Sequence, residues 1–267
     1  MTGRLCQACR MSPAALDGCY VISLRPAGEH ASLRRAAAAH GARVLALSPW
    51  KLLQRDDAAT RATLRAALAA ERVVFTSPAA VRAALALQAL RLSRGAIWCA
   101  VGAGTASMLR HAGVAAVLSP TRMDSEGLLA LPAMTQVREC RVGLVTAPGG
   151  RGRIAATLRR RGALLLRANV YERVPVVPPA RTVQRLLELD APSWLALSSG
   201  EALERIVSTL PSAACVQVRR ARVVAASERL AGIARGHGFT QIVVAASARP
   251  HDLMLAAATA MRRRLLA

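Results

Sequence analysis

Residues Val21 to Trp50, VISLRPAGEHASLRRAAAAHGARVLALSPW, have a counterpart in Val142 to Pro175, VGLVTAPGGRGRIAATLRRRGALLLRANVYERVP, which begins 121 positions later. Each copy reads as an apolar strand, a turn rich in glycine and proline, an arginine-bearing amphipathic helix closed by Gly41 or Gly162, and a second strand. One such unit cannot bury both faces of its strands. Its repetition therefore points to stacked, parallel strands covered by helices.

The rest of the chain keeps the pattern. After a helix over Thr60 to Ala70, VVFTSPAAVRAAL (Val73 to Leu85) is a strand that turns at once into a helix, with Ser77 placed to cap it and Pro78 at its first position. LALSSGEALERIV (Leu195 to Val207) repeats this arrangement, Ser198 and Ser199 standing 122 residues after Thr76 and Ser77. Ile97 to Val101 leads into Gly102-Ala103-Gly104-Thr105, and Val223 to Ala226 leads into Ser227. SEGLLALP from Ser125 pairs more loosely with PHDLMLAAA from Pro250. The expected fold is α/β, with two doubly wound parallel-sheet domains. Ligands in such folds bind beyond the carboxyl ends of the strands. Arg25, Thr76, Ser77, Gly102, Thr105, Gly150, Arg151, Ser198, Ser199 and Ser227 all occupy that position and are the candidate binding residues. Two such edges facing each other would supply hydroxyls, backbone donors and helix N-termini to an anion.

The formal net charge of +22 favours an anionic partner, but only Lys51 among the 37 basic residues is a lysine. Such one-sided arginine usage assigns part of the charge to compositional bias. Runs such as Arg159 to Arg161 then read as solvated helix faces. Aromatic residues make up 3% of the chain, too few for single-stranded nucleic-acid stacking platforms, and no nucleic-acid partner is expected. No apolar run is long enough to span a bilayer, so no membrane association is expected. The first 19 residues lack the apolar centre of a secretory signal and read as a disordered extension or as a misplaced start upstream of Met11. The six cysteines show no disulfide-framework spacing, so reduced thiols and a cytoplasmic location are expected. Within them Cys6 and Cys9 form a lone CxxC without a second pair or nearby histidines, and no metal site is expected. No P-loop, GxGxxG or GxSxG elbow is present.

Tyr171, one of two tyrosines, ends the duplicated unit in an extended segment. The ordered set LRP (Leu24 to Pro26), VFTSPAAV (Val74 to Val81), AVGAGTA (Ala100 to Ala106), SEGLL (Ser125 to Leu129), the GGR preceding Leu158 and RGA, VYERV (Val170 to Val174), LSSGEAL (Leu197 to Leu203) and Gly238-Phe239 resembles the uroporphyrinogen-III synthase family. AASERLA departs from the pattern, having no glycine where the first half has Gly102, and the first 19 residues match nothing.

The resemblance implies a discontinuous first domain (20–43 with 177–267), a second domain (52–166), and extended connectors at 44–51 and 167–176 that act as a hinge. It also implies a cofactor-independent lyase that cyclises hydroxymethylbilane with inversion of the terminal pyrrole, Tyr171 being the catalytic proton donor. A monomer is expected, with the enzyme that supplies the substrate as a further candidate partner. The competing readings are a non-enzymatic two-lobed protein binding an anionic small molecule and, on charge alone, a nucleic-acid binder.

Overall fold

The computed structural model describes residues 14–91, 95–149 and 152–265. The chain opens with β1 (Tyr20–Ser23), α1 (Ala31–Ala38) and β2 (Arg43–Ala46). It continues through β3 (Trp50–Gln54), α2 (Ala58–Leu68), β4 (Arg72–Phe75), α3 (Pro78–Leu87), β5 (Ile97–Ala100), α4 (Ala103–His111), β6 (Val117–Leu118), α5 (Ser125–Ala130), α6 (Pro132–Thr135), β7 (Arg141–Thr146), α7 (Arg153–Arg160), β8 (Leu164–Asn169) and β9 (Tyr171–Pro175). It closes with α8 (Ala180–Leu187), β10 (Ser193–Leu197), α9 (Gly200–Thr209), α10 (Ser212–Arg219), β11 (Arg222–Ala225), α11 (Glu228–Gly236), β12 (Ile242–Val244) and α12 (Pro250–Leu265).

These elements form two compact units, one reaching Pro49 and resuming at Val176, the other comprising Trp50–Pro175. In the first, a five-stranded parallel sheet has the order β12-β11-β10-β1-β2. In the second, a five-stranded parallel sheet has the order β6-β5-β4-β7-β8. The central strands are apolar and buried on both faces, the environment a helix-covered parallel sheet creates. The α/β class and parallel sheets expected from the duplication are present. The repeat is also visible in topology: β1 and β2 correspond to β7 and β8, and β10, β11 and β12 to β4, β5 and β6.

Packing in the second unit is tight enough to dictate a residue. A Cβ at Gly143, in the middle of β7, would lie 1.9 Å from the carbonyl oxygen of Ala67 in α2. Only glycine lets this helix approach the sheet so closely. In the same unit's core, the rings of Phe75 and Trp98 stack with centroids 5.5 Å apart.

Two sequence expectations change in detail. Residues 1–13, with Cys6 and Cys9, lie outside the described residues. Ala14 to Cys19, expected within the extension, instead belong to the first unit. Leu16 and Cys19 are buried in its core, and the amide of Leu16 donates to the carbonyl of His40 at 2.9 Å. Their apolar side chains cover the end of α1, and the turn is completed by Gly18 at φ +71°. The extended connectors are also shorter than expected. Val44–Ala46 pairs with β1, and Arg167–Asn169 pairs with β7, because both runs can satisfy their backbone groups on a sheet edge. The antiparallel pairing is confined to β3 and β9, from Trp50 opposite Pro175 to Gln54 opposite Tyr171.

Candidate active site

In the second sheet β4 and β7 are neighbours, yet the chain leaves them in opposite directions, from β4 towards β5 and β6 and from β7 towards β8. Their carboxyl ends therefore bound a topological switch point, where open α/β sheets form a ligand crevice. Thr76 follows the last residue of β4 and Thr146 is the last residue of β7. The Thr76 amide donates to the carbonyl of Val145 at 3.2 Å, and the Thr76 hydroxyl donates to Oγ1 of Thr146 at 2.9 Å. Ser77, next in the chain, caps α3 by accepting from the amide of Ala80 at 3.1 Å, with Pro78 at the first helical position.

Tyr171 is brought to the same crevice by β9. Its ring is 5% exposed and packs in the core cluster that contains Phe75, Val145 and Ala168, while its hydroxyl lies 3.1 Å from Oγ of Ser77. A cavity of about 200 Å³ opens here, lined by Thr76, Ser77, Thr146 and Tyr171 together with Ser125, Arg153, Arg167 and Arg173. Arg153, at the start of α7, pairs with Glu126 at 3.0 Å. The guanidinium of Arg173 stands 5.1 Å from the ring centroid of Trp50. Gly152, the residue before α7, adopts a left-handed conformation at φ +62° and offers no side-chain cap, so the first amides of that helix carry no side-chain acceptor from it.

Of the sequence candidates, Thr76, Ser77 and Tyr171 meet at this cavity. Gly150 and Arg151 lie outside the described residues. Gly102 and Thr105 do not line it: Gly102 caps α4 against Met123, and Thr105 is buried within α4 at 4% exposure. Arg25, Ser198, Ser199 and Ser227 belong to the first unit. There β1 and β10 form the corresponding switch point, and the last paired residues, Ser23 and Ala196, lie two positions before Arg25 and Ser198. Ser199 caps α9 by accepting from the Ala202 amide at 3.3 Å, and Ser227 caps α11 by accepting from the Leu230 amide at 3.4 Å. Burial lowers the pKa of the Arg25 guanidinium, with Glu29 opposing the shift.

Several residues at these edges were absent from the sequence candidates. Thr146 occupies the repeat position of Arg25, 121 residues later, and the duplication was the signal that pointed to it. His30 had no such signal. It is 6% exposed and bridges two hydroxyls, Nδ1 lying 2.8 Å from Oγ of Ser23 and Nε2 lying 2.9 Å from Oγ of Ser48. Burial, aided by Arg34 and Arg25, lowers its pKa to about 4, so the ring is neutral near pH 7. Among the described residues no group of three or more histidine, cysteine or acidic side chains is placed to hold a metal ion, and no helix is long and apolar enough to cross a membrane. The buried thiol of Cys99 is pushed up to about 11, which removes it as a nucleophile.

Residues 31–254 match the family model described as uroporphyrinogen-III synthase HemD. A uroporphyrinogen-III synthase from Escherichia coli (strain K12) is 30% identical over 160 residues, which cover 59% of this chain and 65% of that protein. The chain thus spans slightly less than two thirds of this relative's length. In fold it is similar to a mutant uroporphyrinogen III synthase from the extremely thermophilic bacterium Thermus thermophilus, with a TM-score of 0.62 at 18% identity, covering 92% of this chain and 99% of that one. It is also similar to the uroporphyrinogen-III synthetase of Helicobacter pylori 26695, with a TM-score of 0.58 at 11% identity, covering 92% and 100%. The match over residues 31–254 takes in most of both sheets and the Tyr171 cavity, and the chain belongs to the uroporphyrinogen-III synthase family.

Proposed function

We propose that the protein is a uroporphyrinogen-III synthase, a cofactor-independent lyase that converts the linear tetrapyrrole hydroxymethylbilane into uroporphyrinogen III and water. The observation that carries this reading is the Tyr171 hydroxyl beside Ser77 at the switch point of the second sheet, in a cavity lined by hydroxyls and guanidinium groups. The substrate bears eight carboxylates, which matches this lining and the chain's formal net charge of +22. The two-lobed binding protein finds no support among the relatives, each of which is named as a synthase or synthetase.

In this reading Tyr171 donates its phenolic proton to the terminal hydroxyl of the bilane. The carbon–oxygen bond breaks, its electron pair leaves with the oxygen as water, and a protonated azafulvene forms. That carbon is attacked by an already substituted carbon of the last pyrrole, giving a spiro intermediate. Fragmentation and reclosure then invert the ring, and a proton lost from the substrate restores the phenol. The hydrogen bond to Ser77 fixes the phenol's direction, and the surrounding apolar core limits water around it. General-acid assistance of this kind is typically worth about 10² to 10⁴-fold in rate. Orientation supplies the isomer choice, because unguided closure gives the uninverted ring.

Incubating the purified protein with freshly prepared hydroxymethylbilane and resolving the products tests the assignment. The type III isomer is the expected product. Formation of the type I isomer alone, at the uncatalysed rate, would overturn it.

A further inference from the structure

We infer that Arg167 binds a side-arm carboxylate on the pyrrole that carries the leaving hydroxyl, and so positions that hydroxyl in the Tyr171 cavity; this rests on the synthase reading above. Arg167 lies in β8, opposite Leu144 of β7, and lines the same cavity as Tyr171. Its Nε donates to Oδ1 of Asn169 at 2.9 Å, and its Nη2 donates to the carbonyl of Ala147 at 3.0 Å. These two acceptors hold the planar group in one orientation. They use two of its five N–H donors, leaving the other N–H groups for a ligand.

Both acceptors are neutral, and among the described residues no carboxylate pairs with Arg167. Arg153, lining the same cavity, is instead matched by Glu126 at 3.0 Å. Arg167 is thus a partly buried, pre-oriented cation without a counter-charge from the described residues, in a space of about 200 Å³. Desolvating such a group is costly unless an anion meets it, and a carboxylate matches the guanidinium fork in geometry as well as charge.

The chemistry of the substrate fixes which carboxylate. The leaving hydroxyl sits on a carbon attached to a terminal pyrrole, and the neighbouring ring carbon bears an acid arm. With the hydroxyl at Tyr171, that arm is the nearest carboxylate, and the cavity has room for an arm and a hydroxymethyl group but not for the whole bilane. Binding the arm at Arg167 therefore presents the leaving group to the phenol, whereas the opposite terminal pyrrole, although it also carries acid arms, brings no hydroxyl there.

The test pairs enzyme variants with a substrate variant. Wild type, Arg167→Gln and Arg167→Lys are assayed for kcat/KM and isomer ratio on hydroxymethylbilane and on an analogue with methyl in place of the acid arm beside the leaving group. Wild type is expected to favour the natural substrate by about 10 to 100-fold, as loss of a charge-assisted hydrogen bond implies. Arg167→Gln should lose most of that preference, and Arg167→Lys should recover part of it. Equal losses on both substrates with the preference intact would mark Arg167 as structural and overturn the inference. A wild type that yields only the type I isomer would instead overturn the synthase reading.

Discussion

The phenolic oxygen of Tyr171 lies 3.1 Å from the hydroxyl oxygen of Ser77, a residue 94 positions earlier in the chain. Ser77 also accepts the amide of Ala80. One side chain thus terminates a helix and orients the proposed acid.

Replacing Tyr171 with phenylalanine keeps the buried ring and removes only the hydroxyl. Turnover of hydroxymethylbilane is expected to fall by about 10²-fold, the lower end of the range for general-acid assistance, with little change in thermal midpoint. Unchanged turnover would leave Tyr171 a packing residue.

Ser77→Ala removes both the cap and the partner of the phenol. Loss of an N-cap costs about 1 kcal/mol of stability, measurable by denaturant titration. If Ser77 acts on catalysis through Tyr171, its effect on kcat should be much smaller in a Tyr171→Phe background than in wild type. Full additivity of the two effects would contradict that linkage.

His30 makes the first unit sensitive to acid. Its neutral ring is buried between Ser23 and Ser48, and its pKa is lowered from 6.5 to about 4. Between those values the unfolded chain binds the extra proton, so stability falls as pH drops from about 6.5 and levels off below about 4. The full shift corresponds to about 3 kcal/mol. Comparing unfolding free energies of wild type and His30→Gln across this range should reveal a difference that changes with pH. A constant difference would count against it.

Gly143→Ala places a methyl group where Ala67 presents its carbonyl, 1.9 Å away. Both partners are backbone-fixed, so α2 must shift, at a cost of about 1 to 3 kcal/mol. Calorimetry should register a lower melting temperature, while the same substitution at exposed Gly113 is not expected to act through a clash, since nothing lies near its Cβ position.

The strand and helix order was legible because apolar runs, serine caps and closing glycines are local signals. Ser77 and Ser199 cap helices as their sequence positions suggested, and Ser227 does the same. The neighbours of each strand were not legible in this way. That β4 adjoins β7, and hence that Thr76 meets Thr146, depends on sheet order rather than on any residue near either threonine. His30 shows the same limit, since its partner Ser48 lies 18 residues away and the bridge exists only after β1 and β2 align. Arg167 sits in a run that reads as an ordinary strand, and its lack of an acidic partner among the described residues is a property of the cavity. Thr105 illustrates the reverse: its turn has the composition of an anion cradle, but helical geometry directs its side chain into the core.

The pairing of Val21 with Trp194 also has a consequence for synthesis on the ribosome. The second unit, Trp50–Pro175, is contiguous and can complete its five-stranded sheet as soon as β8 has emerged and its β3–β9 pair once β9 follows, whereas β1, α1 and β2 must wait for β10. During that interval the first strands are an unfinished edge with apolar faces uncovered, the kind of segment chaperones and proteases engage. Nascent chains arrested shortly after residue 175 clears the exit tunnel should therefore resist proteolysis over 50–175 and be cut within 20–46. Equal protection of both segments would show that the opening strands find another partner before β10 arrives.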